Sequence, residues 1–289
     1  MSIRTDLAVE SAQQLSLNSD LEGVNQNITI IENAQMEISD ISVENQSAAQ
    51  KLGKTMGRYI TVRSMTSSFD EYSDCFASRI DIISKEIKKL CPNPSRILVA
   101  GIGNRAITPD AIGPLTADKI FATRHIKKLA TELDSSELTE VSVVQPRVLG
   151  QTGIEAAQQI KSHVQSIQPD LVIAVDALAC ADLNHLGTTV QMTDTGISPG
   201  SGVENARAEL SENTLGTKCI AIGVPTVVDL GTAAEHIFNS QAPQNSLNMM
   251  VTPRNIDRLV SNSAKYIAYA INKAYQTTLS IEDIQSLVE

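Results

Sequence analysis

RILVAGIGNRAITPDAIGP, residues 96–114, is the stretch from which the fold is read. Ile97, Leu98, Val99, Ala100 and Ile102 form an apolar run broken only by Gly101, the pattern of a strand covered on both faces, as in a parallel sheet. Gly101 and Gly103 let the backbone turn tightly behind it. Pro109 fixes its own φ and turns Thr108 away from helix, so a rigid loop precedes the next helix. Asp110 sits in that loop. In an open α/β sheet, sites form at the carboxyl ends of the central strands. Asp110 therefore reads either as a chemical group or as the cap of a helix starting near Ala111.

Working outward, strands and helices alternate. DLVIAVD, residues 170–176, is a second buried strand, and Val141 to Val144, Thr188 to Met192 and Lys218 to Ile222 are further strand candidates. Helical spacing marks a helix from about Ala111 to Leu133, one through Ile154, Ala157, Ile160, Val164 and Ile167, one near Thr232, and a long one through Ile256, Leu259, Val260, Ile267 and Ile271. This order predicts an α/β sandwich of three layers with a mostly parallel sheet. Upstream, Ile28 and Ile30, then Met36 to Val43, then Gly57 to Val62 predict a small antiparallel β appendage. Ser67 is placed to cap a helix running to about Leu90, which Pro92 and Pro94 end. Residues 1–20 turn polar and are expected to be poorly fixed. The chain divides into an N-terminal segment, 1–66, and a core, 67–289.

Composition narrows the function classes. The 289 residues carry 42% hydrophobic side chains, enough for a sizeable core. A net charge of -10 and 3% aromatic content argue against direct nucleic-acid binding, which calls for a basic footprint. Met1 is followed by polar residues, with no secretory or membrane-spanning stretch. Cys75, Cys91, Cys180 and Cys219 form no C-x-x-C pair, so a cytoplasmic chain with reduced, buried thiols is expected.

Asp176 ends the strand Leu171 to Val175. If that strand neighbours the one before Asp110, two carboxylates meet. Close carboxylates do not both ionise easily and share a proton. The ionised one activates water and the protonated one polarises a carbonyl, which amounts to peptide hydrolysis without a covalent intermediate. The alternative is a structural carboxylate at a strand end. Gly101 to Ala106 matches G-x-G-x-x-A, but Thr108-Pro109 interrupts the helix that would hold a pyrophosphate. Asp194 lies in D-T-G, familiar from pepsin-like enzymes; those are all-β and need two copies, so a loop is the simpler reading, with Asp194 free to line the site. His125, His163, His185 and His236 show no zinc spacing, and no G-x-S-x-G elbow is present. His125 is the histidine nearest the Asp110 unit. No cofactor is expected.

Several blocks together resemble the germination protease family, the atypical aspartic endopeptidases of spore-forming bacteria. They are IRTDLAVE (3–10), GRY (57–59), Gly103-Asn104 with TPDAIGP (108–114), TRH (123–125), GQTGIE (150–155), AVDALA (174–179), ISPGSG (197–202), AIGVPTVVD (221–229) and MVTP (250–253). The resemblance implies that Asp110 and Asp176 are the essential aspartates, with Asn104, Asp194 and His125 as supporting candidates. It implies a fold like that of hydrogenase maturation proteases. It implies an enzyme that starts the degradation of small acid-soluble spore proteins in the spore core, cutting after an acidic residue. It further implies a homotetramer made as an inactive precursor that cuts itself. Asp6-Leu7-Ala8 has the preferred order of acid, hydrophobe and alanine, so the self-cut is expected between Asp6 and Leu7. No membrane or direct nucleic-acid partner is expected. Against the family pattern, the segment ahead of IRTDLAVE is short and the Phe238–Asn248 loop replaces a longer insertion. The competing readings are a metal-assisted protease of the hydrogenase-maturation type, with His125 and the aspartates around a cation, and a non-catalytic spore assembly protein.

Overall fold

The computed structural model describes residues 5–16, 22–66, 69, 73–129, 138–200, 207–238 and 249–289. The apolar runs become the centre of one sheet. Strands β5 (Glu140–Val144), β4 (Arg96–Gly101), β6 (Leu171–Cys180) and β8 (Lys218–Asp229) lie side by side in that order, all parallel. Beyond β8 the sheet turns antiparallel through β7 (Thr189–Thr193), β3 (Gly57–Ser64), β2 (Met36–Val43) and β1 (Val24–Ile31). A short β9 (Met250–Val251) pairs with the end of β8. The layered α/β architecture is thus as the alternation predicts. The sheet is mixed, and the expected antiparallel strands extend it through the β3–β7 pairing.

Each face of the sheet is covered, which is why its central strands are apolar throughout. On one face Ile97, Val99, Ile173, Val175, Ile220 and Ile222 pack with helices α3 (Phe76–Leu90) and α10 (Ile256–Tyr275). Helix α11 (Ile281–Val288) joins them through Ile281 and Ile284. The opposite face carries two separate clusters. Leu98, Ala100, Val172 and Ala174 pack against α7 (Ala156–Ile167) and α8 (Glu212–Leu215). Leu178, Cys180 and Val228 pack instead against α1 (Ala8–Ser16), α2 (Gln46–Leu52) and α9 (Leu230–Phe238). Asp176 falls in the gap between these clusters. Among the described residues, no helix is long and apolar enough to cross a membrane.

Three expectations are corrected. The N-terminal stretch is not loose over residues 5–16: Leu7, just ahead of a helix, and Ala8, Val9 and Ala12 within it are buried in one cluster with Ile41, Val43 and Cys180. Residues 1–4 and 17–20 lie outside the described residues. The single helix expected from Ala111 to Leu133 is two, α4 (Ile112–Ala117) and α5 (Arg124–Leu129). The break is stabilised from outside, since Asn272 accepts from the Phe121 amide and donates to the Lys119 carbonyl. Residues 130–133 are outside the described set. The helix expected from Ser67 begins at Phe76, and Ser67 itself is not described.

Candidate active site

The loop after β4 is folded by its glycines. Gly103 has φ +118°, and a Cβ there would lie 2.1 Å from the Asp110 carbonyl oxygen. Gly113 likewise faces the Ile102 and Val175 carbonyls. The chain therefore passes close enough for the Ile102 amide to donate to Val175 of β6 at 2.8 Å. Thr108 to Asp110 form a 3₁₀ turn with Pro109 in its first turn, a place where the missing N–H costs nothing. Thr226 Oγ1 on β8 donates to the Pro109 carbonyl at 2.7 Å and pins the turn. The Asp110 side chain caps no helix: α4 has no side-chain cap. Instead Asp110 Oδ2 accepts from the Asn104 amide at 2.9 Å.

Asp176 reaches the same place from β6, because β4 and β6 are neighbours in parallel register, with Gly101 opposite Val175. Asp176 is 4% exposed and its Oδ1 accepts from the Ala177 amide. Asp110 and Asp176 both line one open cleft of about 380 Å³. Its walls draw on most of the blocks picked out in the sequence, through Asp6, Glu155, Ala179, Pro199, Thr226 and Thr252.

Electrostatics separates the two acids. Burial pushes the Asp110 carboxyl up to about 6, against the Asn104 hydrogen bond that pulls it down. Burial also drives Asp176 well above the ordinary carboxylate range, and the nearby charges of Asp110 and Asp6 push the same way. Both shifts favour the protonated carboxyl, more strongly in Asp176, where burial is reinforced by the charge of Asp110. Two carboxyls shifted unequally in one cleft have the chemical capacity of a base and an acid.

The remaining sequence candidates distribute unevenly. Asn104 supports Asp110 through its backbone, while its Oδ1 accepts from the Ala106 amide and Gln151 Nε2. Asp194 is exposed and accepts from the Arg58 amide at 2.8 Å. His125 is exposed on α5. Neither Asp194 nor His125 lines the cleft. Among the described residues, no group of three His, Cys, Asp or Glu is arranged to hold a metal ion.

Asp6 and Leu7 lie elsewhere than a free terminus would put them. Asp6 pairs with Ala179 in both directions, its amide donating to the Ala179 carbonyl at 2.9 Å and its Oδ2 accepting from the Ala179 amide at 2.8 Å. Asp6 thus borders its own chain's cleft, with Leu7 beside it fully buried. Glu10 holds it from below by accepting from the Ala181 and Asp182 amides. Cleft residues that the sequence did not single out include Arg147, held at φ +62°, and Arg207. Only the strain at Arg147 marks it, and no sequence pattern encodes that strain.

The germination protease family profile matches residues 3–241. A germination protease of Clostridium perfringens is 35% identical, covering 99% of both chains. One of Clostridium acetobutylicum is 36% identical over 99% of both, and one of Priestia megaterium is 38% identical over 79% of this chain and 64% of its own length. Among solved structures, a hydrogenase maturation protease from Thermococcus kodakarensis covers 65% of this chain and 99% of its own, at 18% identity and a TM-score of 0.38.

Proposed function

The chain belongs to the germination protease family and is a protease; on that premise we propose that it hydrolyses peptide bonds with Asp110 and Asp176, starting the breakdown of small acid-soluble spore proteins. One observation carries the mechanism: both carboxyls border one cleft, and the Asp110 charge acts on buried Asp176. The less perturbed Asp110 ionises first and takes the proton of a water molecule. The water oxygen bonds to the substrate carbonyl carbon. Asp176, kept protonated by its burial, gives its proton to the departing amine as the C–N bond breaks. Asn104 is a positioning residue whose amide keeps Asp110 ionisable near neutral pH.

An acidic residue before the cut bond, self-processing between Asp6 and Leu7, a homotetramer and residence in the spore core belong to the same reading. The self-cut is supported by the Asp6-Leu7-Ala8 order and by Asp6 lining the cleft, where its charge acts on Asp176. The test is incubation of the purified chain with a small acid-soluble spore protein, with and without a strong chelator, the products read by mass. Cuts following acidic residues that persist in chelator are expected, together with loss of residues 1–6 from the enzyme. Activity lost in chelator and restored by one cation would overturn the two-aspartate reading.

A further inference from the structure

A second cavity lies beside the first, and Asp6 borders both. In it, two donors converge on one carbonyl oxygen. Lys54 Nζ donates to the Asp6 carbonyl at 2.9 Å, and Gln191 Nε2 donates to the same oxygen at 2.9 Å. The other end of the Gln191 amide accepts from the Ala8 amide at 2.7 Å. Gln191 therefore brackets the Asp6–Leu7 bond from both sides. Lys54 also donates to the Thr5 carbonyl at 3.1 Å.

The sheet explains how this grip relates to the acids. Asp176 of β6 is in register with Gly223 of β8, and Gly223 is in register with Gln191 of β7. Register partners share a face, so Asp176 and Gln191 point the same way, about 10 Å apart across two strand spacings. Gly223 itself carries no side chain, and the Leu178 side chain of β6 fills the space over it, between the two cavities. The next position in the row is Thr61 of β3, buried with its Oγ1 unpaired among the described residues. A polar row thus crosses this face, flanked on β7 by Thr189 and Thr193, and the Gln191 end of it holds the Asp6 carbonyl.

We infer that Lys54 and Gln191 are further catalytic residues, the electrophilic half of the site, holding and polarising the carbonyl oxygen of the bond that the aspartate pair attacks. The inference rests on the two-aspartate reading above. Asp6 stands where the residue before a cut bond would stand, and its carbonyl shows which donors receive it. When water bonds to that carbon, the carbonyl electron pair moves onto the oxygen, and an ammonium and an amide N–H meet the new charge. The pair then returns, the C–N bond breaks, and the amine of Leu7 leaves with the proton from Asp176. Burial favours the uncharged form of Lys54, opposed by the negative charges of Asp6 and Glu10. Lys54 is half-buried at the edge of this cavity, so its Nζ both reaches the Asp6 carbonyl and can meet charge that develops there.

The competing role is a latch that merely ties the leader down. The two roles differ in sign. The full-length variants Lys54→Met, Lys54→Arg, Gln191→Leu and Gln191→Glu would be assayed on a synthetic peptide of residues 2–11, beside Asp110→Asn, with circular dichroism to confirm folding. Loss of one such donor costs about 100-fold or more in kcat. That loss is expected for Lys54→Met and Gln191→Leu with little change in KM, and Lys54→Arg should recover part of it. Gln191→Glu keeps the shape and the Ala8 contact but replaces the carbonyl donor with an acceptor, so it should be as slow as Gln191→Leu. Turnover that is unchanged or faster in Lys54→Met and Gln191→Glu would establish the latch and overturn the inference. If Asp110→Asn is inactive while these two stay active, only this inference fails. An active Asp110→Asn removes the aspartate reading beneath it.

Discussion

Asp110 and Asp176 are ordinary residues in an unusual solvent, and the proposed mechanism draws on what that solvent does to them. Asp176 loses water on all sides but keeps one amide donor, so its neutral form dominates. Asp110 is less buried and reaches only about 6. Cleavage should therefore rise as pH climbs through about 6, then decline at higher pH as Asp176 loses its proton. A kcat/KM profile that stays flat across the rise would refute this assignment of base and acid. Linkage gives a stability counterpart. The folded chain binds the Asp110 proton more tightly than the unfolded chain, so this group's contribution to stability declines as pH rises from 3.8 to about 6. Asp110→Asn should therefore be more stable than the parent at pH 7, by about 1–2 kcal/mol once its partial exposure is allowed for, and the gain should vanish near pH 4. Thermal melts at the two pH values read it directly. In the sequence Asp110 stood out in a Gly/Pro-framed loop and Asp176 at the end of an apolar strand, but those positions alone left a helix cap and a structural carboxylate open, and only the family resemblance singled out the pair. The roles of Lys54 and Gln191 were not legible there, since both act through a register across strands far apart in the chain.

The loop from Gly103 to Gly113 is the element that sets the site's geometry. Gly103 has a backbone conformation that side chains rarely adopt, and Asp110 is packed where a Cβ would go. Gly103→Ala should cost about 1–3 kcal/mol through strain and displacement of the loop. It should also lower activity at least as much as stability, because the Asn104 amide moves away from Asp110. A variant with native melting temperature and native turnover would show that the loop tolerates the shift. Elements built from long apolar runs, β4, β6 and β8, could be read from sequence alone, since both faces of each are covered. The broken helix after Asp110 could not, because its breaking partner, Asn272, comes from α10. Helix α1 was hidden for a related reason. Its three buried apolar positions, Ala8, Val9 and Ala12, are too few to mark a helix until β2, α2 and β6 supply the surface they pack on.

Over the whole molecule, one face of the sheet is left with a seam between two apolar clusters, and the cleft proposed as the active site lies in that seam. The N-terminal segment closes one end of it through Asp6, while β8 runs along its length from Gly223 to Thr226. Blocks scattered from residue 6 to residue 252 meet there, which is why they are individually weak in sequence and specific as a set. If the seam is a protease site, removing its leader should change access to it without unfolding the sheet. Intact-mass analysis of the purified chain after incubation should show a species beginning at Leu7. Persistence of residues 1–6 in a fully active enzyme would remove the segment from the account. The central claim is narrower and rests on two oxygen-bearing side chains. Its most direct test is the turnover of Asp110→Asn and Asp176→Asn on a small acid-soluble spore protein, each variant checked for native folding. The account predicts that each substitution lowers turnover by about 100-fold or more; near-normal turnover in either correctly folded variant would contradict it.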